Sequence, residues 1–322
     1  MARVIGKEQA EKVFNNYAFV NSVAEAASDG ARIATVQTGA LLEQTKARYE
    51  RRIAKSKAGY RDYTFTDSVF VIPTEREQPG YPRSFVVFSR NDAARAGERA
   101  SAVHYFVQAE AGGPWLAAAA SWVNGVPPTG VGAGAEPPYT GLGIKVRDKE
   151  IAAVNVEPVA GGGVLSATGA EGRKVCERYA DYMSFTAPRG ERESEYFVPG
   201  AHTSEVVDLR NGEDKDADGL VRHRFDYEAT GADLPVVKLA DGKSLVTCAF
   251  VRKEHLVGRD ATFNFKKGSD TEDLLGGKRD WSVVDTRWAV TVVFEVPEQG
   301  PADVVASNSR VGQLLSAEGT LD

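Results

Sequence analysis

The chain has 322 residues, of which 42% are hydrophobic and 26% are charged, and its formal net charge is −6. This length predicts two domains, and this composition is that of an ordinary globular protein. The negative charge argues against a protein dedicated to nucleic acid, because such proteins carry a strong basic excess. No run of about 18 apolar residues occurs, so no transmembrane segment is predicted.

The first part of the chain predicts helices followed by an antiparallel sheet. An apolar stripe predicts an amphipathic helix from Lys7 to about Ser28, and a more polar helix is predicted from about Ala40 to Lys55. The hydrophobic period then changes to two. Strands are predicted at Tyr63–Ile72, Arg83–Arg90, Ser101–Glu110 and Trp115–Val123. This order favours an α+β fold with the helices on one face of the sheet.

A second domain is predicted after a linker. Residues 124–143 are rich in glycine and proline and poor in charge, which is typical of a linker between domains at 1–123 and 144–322. A capping box at Thr168 and Glu171 then predicts a helix that ends near Phe185, and a polar stretch follows. Strands are predicted at Leu220–Glu228, Val236–Leu239, Lys243–Lys253, Ala261–Phe265 and Trp281–Val296.

Two matches between the domains indicate a tandem repeat. A Lys-Val-x-x-x-Tyr frame begins at Lys12 and again at Lys174. The run Ser84–Phe88 follows the first frame by 72 residues, and the similar run Ser244–Cys248 follows the second by 70. Because the matches keep their order and nearly their spacing, they favour two similar halves.

The repeat suggests a role for the two cysteines, since it places Cys176 at the position of Phe14 and Cys248 at that of Phe88. If the first helix of each half packs on a central strand, Phe14 should contact Phe88 and Cys176 should lie near Cys248. Two alternatives remain open for the cysteines. A disulfide would contribute ~3–4 kcal/mol and indicate an extracytoplasmic location, whereas two buried free thiols would be ordinary core residues.

Several segments resemble known families. A helical pair followed by a sheet with the late strand Gly113–Trp122 resembles the cystatin-like, NTF2-like cone fold. Other segments resemble an uncharacterised family of actinobacterial secreted lipoproteins. These segments are Thr38–Gln44, Tyr63–Asp67, Val71–Pro73, Lys238–Val246 and the run after Trp288.

This resemblance implies a fold of two tandem cystatin-like (NTF2-like) domains, each with helices packed on a curved antiparallel sheet. It also implies export and attachment outside the cell membrane, but no activity. No signal segment or lipid-attachment cysteine is recognisable in this sequence. We therefore expect an extracytoplasmic protein, secreted or lipid-anchored, whose targeting segment is absent from this chain, and the alternative is a cytoplasmic one.

One motif suggests calcium. Asp214, Asp216 and Asp218 precede Gly219 with the spacing of a calcium loop, which takes oxygens at its first, third and fifth positions and a glycine at its sixth. The glutamate that normally closes such a loop is missing, because Phe225 stands in its place. The alternatives are a weak calcium site and a solvated acidic turn before a strand. No other cofactor is suggested.

A basic stretch suggests anion binding. Arg48, Arg51, Arg52 and Lys55 share one face of the second predicted helix. This face could bind an anionic polymer or lipid headgroups, and the alternative is an ordinary solvated helix face.

No set of residues predicts catalysis. The four histidines (His104, His202, His223 and His255) match no metal-ligand spacing and are expected in the core or on the surface. No Gly-x-Ser-x-Gly elbow is present. The sequence therefore favours a non-enzymatic cell-envelope module that binds a partner protein or an envelope component. The alternative is a small-molecule or enzymatic pocket inside one cone, with a histidine or aspartate beside aromatic residues.

Overall fold

The protein has a mixed α+β fold with two antiparallel sheets. The computed structural model describes residues 2–54, 65–91, 100–123, 165–166, 170–216, 219–230, 234–238, 242–307 and 312–321. The predicted linker at 124–143 and the predicted capping residue Thr168 lie outside these residues. No helix in the described ranges is both long enough and apolar enough to span a membrane.

The first half follows the order predicted from the sequence, with the helices before the sheet. Its four strands pair in chain order, each antiparallel to the next. The elements are α1 (Lys7–Ala27), α2 (Gly30–Ile33), α3 (Gly39–Ala54), β1 (Phe65–Val71), β2 (Arg83–Asn91), β3 (Ala100–Gln108) and β4 (Trp115–Val123).

The turn between α1 and α2 is encoded locally. Helix α1 ends because Ser28 has a left-handed backbone with a φ of 52°. Asp29 is the N-cap of α2, and its carboxylate accepts hydrogen bonds from the N–H groups of Ala31 and Arg32. The chain thereby reverses direction and brings α3 against the same sheet as α1.

The second half has a larger sheet, in which the long strands β9 and β10 are neighbours and β7 pairs with the other side of β9. The strands β11 and β12 pair with two different parts of β10. The elements are β5 (Leu165–Ser166), α4 (Ala170–Met183), β6 (Phe185–Thr186), α5 (Ser204–Asp216), β7 (Val221–Ala229), β8 (Val236–Lys238), β9 (Ser244–Gly258), α6 (Asp270–Leu274), β10 (Trp281–Val296), β11 (Asp303–Ser307) and β12 (Gln313–Leu321).

The structure differs from the sequence prediction at several places in this half. The strand predicted at Ala261–Phe265 is wrong, because only Phe263 forms a bridge there, with Trp281. Helix α5 occupies the stretch that was predicted only as polar, and its apolar residues are too few to show a period of 3.6. The strands β11 and β12 were not predicted, and the exposed end of β12 has no strong alternation of apolar and polar residues.

The two sheets pack face to face through a buried apolar cluster. Strands alternate their side chains between two faces, so each sheet turns one face to its helices and the other to the opposite sheet. The cluster between the sheets, here called the inter-sheet core, contains residues of both halves. Its buried members are Val71, Val86, Phe88, Val103, Tyr105, Ala119, Leu234, Val237, Leu245 and Val293.

The layers are therefore helix, sheet, sheet, helix. One outer core joins α1 and α3 to the first sheet, and it includes Phe14, Tyr49 and Val87. The other outer core joins α4 and α5 to the second sheet, and it includes Tyr179 and Val207.

The expected contact between Phe14 and Phe88 is wrong. Phe14 packs in the outer core of the first half, whereas Phe88 points to the opposite face of the sheet and belongs to the inter-sheet core. The neighbouring Val87 shares the outer core with Phe14. The matched runs Ser84–Phe88 and Ser244–Cys248 are therefore one residue out of register, and in a strand one residue exchanges the two faces.

One hydrogen bond crosses the inter-sheet core. The hydroxyl of Thr247 in the second half donates to the phenolic oxygen of Tyr105 in the first, at 2.6 Å. Burial raises the pKa of Tyr105, so the phenol stays protonated at any physiological pH. This bond gives a polar, directional contact within the inter-sheet core.

We predict that Tyr105→Phe lowers the free energy of unfolding by about 1–2 kcal/mol, because it leaves the buried Thr247 hydroxyl without its acceptor. Urea denaturation measures this change. Tyr81→Phe is the control, since Tyr81 is 41% exposed, and it should change stability by less than about 0.5 kcal/mol. Equal effects of the two substitutions would contradict a role for this bond.

Candidate functional site

The structure joins the two cysteines by a disulfide. Cys176 lies on α4 and Cys248 lies on β9, and their Cα atoms are 5.7 Å apart. Cys248 shares the helix-facing side of β9 with Val246 and Phe250. Of the two alternatives left open by the sequence, the structure therefore has the disulfide, and it ties α4 to the middle of the second sheet.

Beside the disulfide, α4 forms one wall of a surface groove of about 250 Å³. The opposite wall is the segment that connects β10 to β11, and Tyr196 closes one end. Two buried apolar residues that line the groove, Val175 and Ala302, also belong to the outer core, and we call them the groove floor. Val296 and Pro297 add to this apolar surface.

The rim of this groove is charged. Lys174 and Arg178 project from successive turns of α4, and Glu298 lies on the opposite wall. The guanidinium of Arg178 stacks over the Tyr196 ring at 4.2 Å from its centroid. Neither cation forms a salt bridge with another residue in the part of the chain that the structure describes. The groove therefore presents two positive charges above an apolar floor.

The backbone holds the end of the groove in place. Ala302 forms a parallel bridge with Phe197, and its N–H donates to the Tyr196 carbonyl at 2.8 Å. The Val198 N–H donates in turn to the Ala302 carbonyl at 2.9 Å. Tyr196 is thus fixed relative to the wall that carries Glu298, and Phe197 anchors the segment by its buried ring.

A cluster of buried charges lies elsewhere in the second half, around Glu254 on β9. One oxygen of Glu254 contacts Arg252 at 2.7 Å and Arg210 at 3.2 Å. The other oxygen accepts from Thr286 at 3.2 Å and lies 3.7 Å from Nε2 of His223. We call Arg210, His223, Arg252, Glu254 and Thr286 the Glu254 cluster.

The charges of this cluster depend on one another. Burial by itself would raise the pKa of Glu254, but Arg252, His223 and Arg210 outweigh it and hold the pKa well below its usual range. Burial would lower the pKa of His223, yet Glu213 at 3.2 Å and Glu254 raise it above its ordinary value. Glu254 is therefore held as a carboxylate, and it in turn favours the protonated form of the neighbouring imidazole.

His104 is a core residue of the first half, as expected for a histidine without partners in the sequence. The rings of Phe14, Tyr17 and Phe65 surround it at centroid distances of 5.4, 5.3 and 5.0 Å. Its Nδ1 has no hydrogen-bond partner among the described residues. Burial lowers the pKa of His104 to about 3, so the imidazole is neutral.

The predicted anion-binding arginines take part in ion pairs within the protein. Arg48 and Arg52 contact the fully buried Glu25 of α1, at 2.7 and 2.6 Å. Arg51 pairs with Asp270 at 3.5 Å and donates to the Leu314 carbonyl of β12. These contacts link α3 to α1 and to the C-terminal strand. Lys55 lies outside the described residues, and anion binding at this helix stays a prediction.

The structure describes the backbone of two of the three aspartates in the predicted calcium motif. The backbone at Asp214 and Asp216 belongs to the end of helix α5, whereas a calcium loop of this type needs a turn there. Asp218 lies outside the described residues. Among the residues that the structure describes, no group of three or more His, Cys, Asp or Glu side chains is arranged to hold a metal ion. Calcium binding stays a prediction.

Sequence reasoning missed the groove and the Glu254 cluster. The cluster had a recognisable signal, because the inward stripe Val246, Cys248 and Phe250 continues by steps of two to Arg252 and Glu254. For the groove, the sequence shows a recognisable pattern in only one of the two walls. Lys174 and Arg178 are four residues apart on a helix, but the facing wall is more than a hundred residues away in the sequence.

We predict that Glu254→Gln destabilises the protein by about 3 kcal/mol or more, because it leaves the buried charges of Arg252 and Arg210 without their carboxylate. Chemical denaturation at neutral pH measures the loss. Glu228→Gln is the control, since this exposed carboxylate pairs with Lys253 at the surface and should change stability by less than about 1 kcal/mol. A small effect at Glu254 would show that the cluster is hydrated.

We predict that His104 makes the fold sensitive to acid. Its pKa is about 3 in the folded protein against 6.5 for the free side chain, so the unfolded chain gains a proton first and stability falls as the pH drops below 6.5. The loss is about 1.4 kcal/mol per pH unit, or about 2 kcal/mol at pH 5. His104→Phe should reduce the difference in unfolding free energy between pH 7 and pH 5 by that amount.

The exposed His255 provides the matched control for this experiment, because it pairs with Asp285 at the surface. His255→Gln should leave most of the acid-dependent loss in place. If both variants lose stability in acid as steeply as the unmodified protein, His104 is not the responsible group.

Comparison with known proteins finds a similarity in the first part of the chain. A domain of unknown function, DUF8094, covers residues 1–134. Its range includes the helices α1 to α3 and the strands β1 to β4, whereas the groove and the Glu254 cluster lie beyond it. No curated protein and no solved structure matches the chain. The first half is therefore similar to this domain of unknown function.

Proposed function

We propose that this protein is a non-enzymatic binding module of the cell envelope and that it holds a partner in the groove beside α4. The observation that carries the proposal is the pairing of two cations, Lys174 and Arg178, with an apolar floor in one concave surface. Such a combination of anchoring charge and apolar contact is typical of recognition sites. Catalysis would need in addition a nucleophile or an acid–base pair, and the groove residues include neither arrangement.

The filled interiors of both halves support binding at the surface. In the first half, Phe14, Phe65 and His104 pack against one another beneath the helices. In the second half, the rings of Tyr179, Phe250 and Phe294 fill the corresponding space. We further propose that the halves are tandem cystatin-like (NTF2-like) units whose concave sides are plugged by side chains, so that new sites form outside them.

We also propose an extracytoplasmic location, secreted or lipid-anchored. The Cys176–Cys248 disulfide supports it, because disulfides persist in oxidising compartments and are rare in the cytosol. The resemblance of several segments to secreted lipoproteins of actinobacteria agrees with the same location. The partner would then be a protein or another component of the envelope.

A second candidate function rests on the Glu254 cluster. A buried carboxylate lies beside an imidazole whose pKa is raised, and Trp288 stacks on Arg252 at 4.8 Å. Such polar groups beside an aromatic ring are typical of small-molecule sites. The side chain of Glu213 is 42% exposed and connects His223 to solvent. Saturable ligand binding that is lost in His223→Gln but kept in a groove variant would favour this candidate over the first.

The groove proposal is tested with the full chain immobilised on a support and incubated with solubilised envelope extract. We expect the double variant Lys174→Glu and Arg178→Glu to retain the groove-bound components about tenfold less than the unmodified protein, because two attractive charges become repulsive. Retained components are measured by quantitative mass spectrometry. Both side chains are exposed, so the variant should fold.

The matched control carries Lys266→Glu and Lys267→Glu, which make the same change in net charge on exposed lysines outside the groove. This control should retain the same components as the unmodified protein. Equal retention by all three proteins would overturn the proposal, and equal loss in both variants would show that only net charge matters.

A further inference from the structure

The rim and floor of the groove together indicate what kind of ligand it takes. We propose that the occupant is an extended acidic segment of a partner protein, with carboxylates at alternate positions and an apolar side chain between them. This inference rests on the proposed binding function of the groove and adds the chemical class of the ligand to it.

The spacing of the two cations matches the repeat of an extended chain. Lys174 and Arg178 are four residues apart on α4, so their backbone positions are about 6 Å apart along the helix axis. Side chains on one face of an extended chain recur every two residues, which is about 6.6 Å. An extended segment that runs along α4 can therefore place one carboxylate at each cation without changing its direction.

The apolar residues of the groove suit an apolar side chain between the two carboxylates. In an extended segment the residue between the two carboxylates points away from the cations. On that side lie Val296 and Pro297, which line the groove together with the buried Ala302. An apolar side chain at the middle position would bury its surface there, and ordinary polar ligands would leave this surface unused.

Glu298 makes the side of the groove on which it lies unfavourable for acidic side chains. It lines the groove together with the two cations and belongs to the segment between β10 and β11. An acidic side chain that faced this wall would be repelled, whereas the N–H groups of a bound backbone would find an acceptor. The segment must therefore turn its acidic face toward α4.

The size and charge of the groove separate this ligand from others. A volume of about 250 Å³ is below the range of about 300–1,000 Å³ that drug-sized ligands occupy, and it fits a few side chains. A phosphate group binds best where several donors converge on it. Here the two cations are one helical turn apart and a carboxylate faces them, so two separate carboxylates fit better than one phosphate.

Tyr196 contributes to the selectivity for an extended chain. Its ring lies under the Arg178 guanidinium and so holds that charge at the end of the groove. A fixed guanidinium loses less conformational freedom when it binds a carboxylate than a freely moving one does. The second cation thus stays at a defined distance from the first.

The test measures the binding of fluorescent synthetic peptides to the full chain by anisotropy at low salt. The probe peptide alternates glutamate and leucine, and the matched peptide has the same composition with the glutamates grouped together. We expect the alternating peptide to bind about tenfold more tightly, because only it presents carboxylates to both cations while a leucine reaches the floor. Lys174→Gln and Arg178→Gln should each weaken it about three- to fivefold, and Lys266→Gln should not.

Several results would overturn the inference. Equal affinity for the two acidic peptides would show unspecific charge attraction, and tighter binding of vesicles that contain phosphatidylglycerol, or of inorganic phosphate, would assign the groove to phosphate groups. Binding of neither peptide would also overturn it. If neither peptide binds while retention of envelope components still depends on Lys174 and Arg178, only the ligand class is wrong. If the peptides do not bind and retention does not depend on these residues, the proposed function is wrong as well.

Discussion

The structure depends on the burial of one sheet against the other. Each sheet is covered by helices on one face and by the opposite sheet on the second, so the central strands are buried on both sides. This is why they contain continuous apolar runs such as Phe85–Phe88 and Val292–Phe294, with little of the alternation that a half-exposed strand shows. The bond between Thr247 and Tyr105 adds a directional contact to this otherwise non-directional burial.

The same packing explains where the charged residues lie. The strands β9 and β10 have 15 and 16 residues, whereas β2 and β3 have 9 each. The far part of β9 therefore extends beyond the first sheet, and Lys253 and His255 are exposed on that face. On the helix-facing side, the apolar core gives way to the Glu254 cluster. There Arg210 of α5 reaches the sheet through an ion pair, and charge pairing replaces apolar contact.

The groove is the product of several elements that the packing holds together. The disulfide fixes α4 on β9, and the paired segment at Tyr196–Val198 fixes one end against Ala302. No single stretch of sequence contains more than one wall. This arrangement gives rigid positions to exposed charges, and rigid positions are what distinguish a recognition surface from an ordinary solvated one.

The sequence by itself determined the α+β class and the order of most elements, because the hydrophobic period and local capping depend on neighbouring residues. It also suggested the pairing of Cys176 with Cys248 as one of two alternatives. It misplaced Phe88, because a repeat match cannot distinguish the two faces of a strand that is apolar on both. Only the tertiary structure decided that Arg48 and Arg52 pair with Glu25 and that Glu254 lies beside His223. It also decided that Lys174 and Arg178 line one groove with Glu298. Each of these contacts joins residues from different elements, and the distance between elements in space depends on how the sheets pack, which no local pattern encodes.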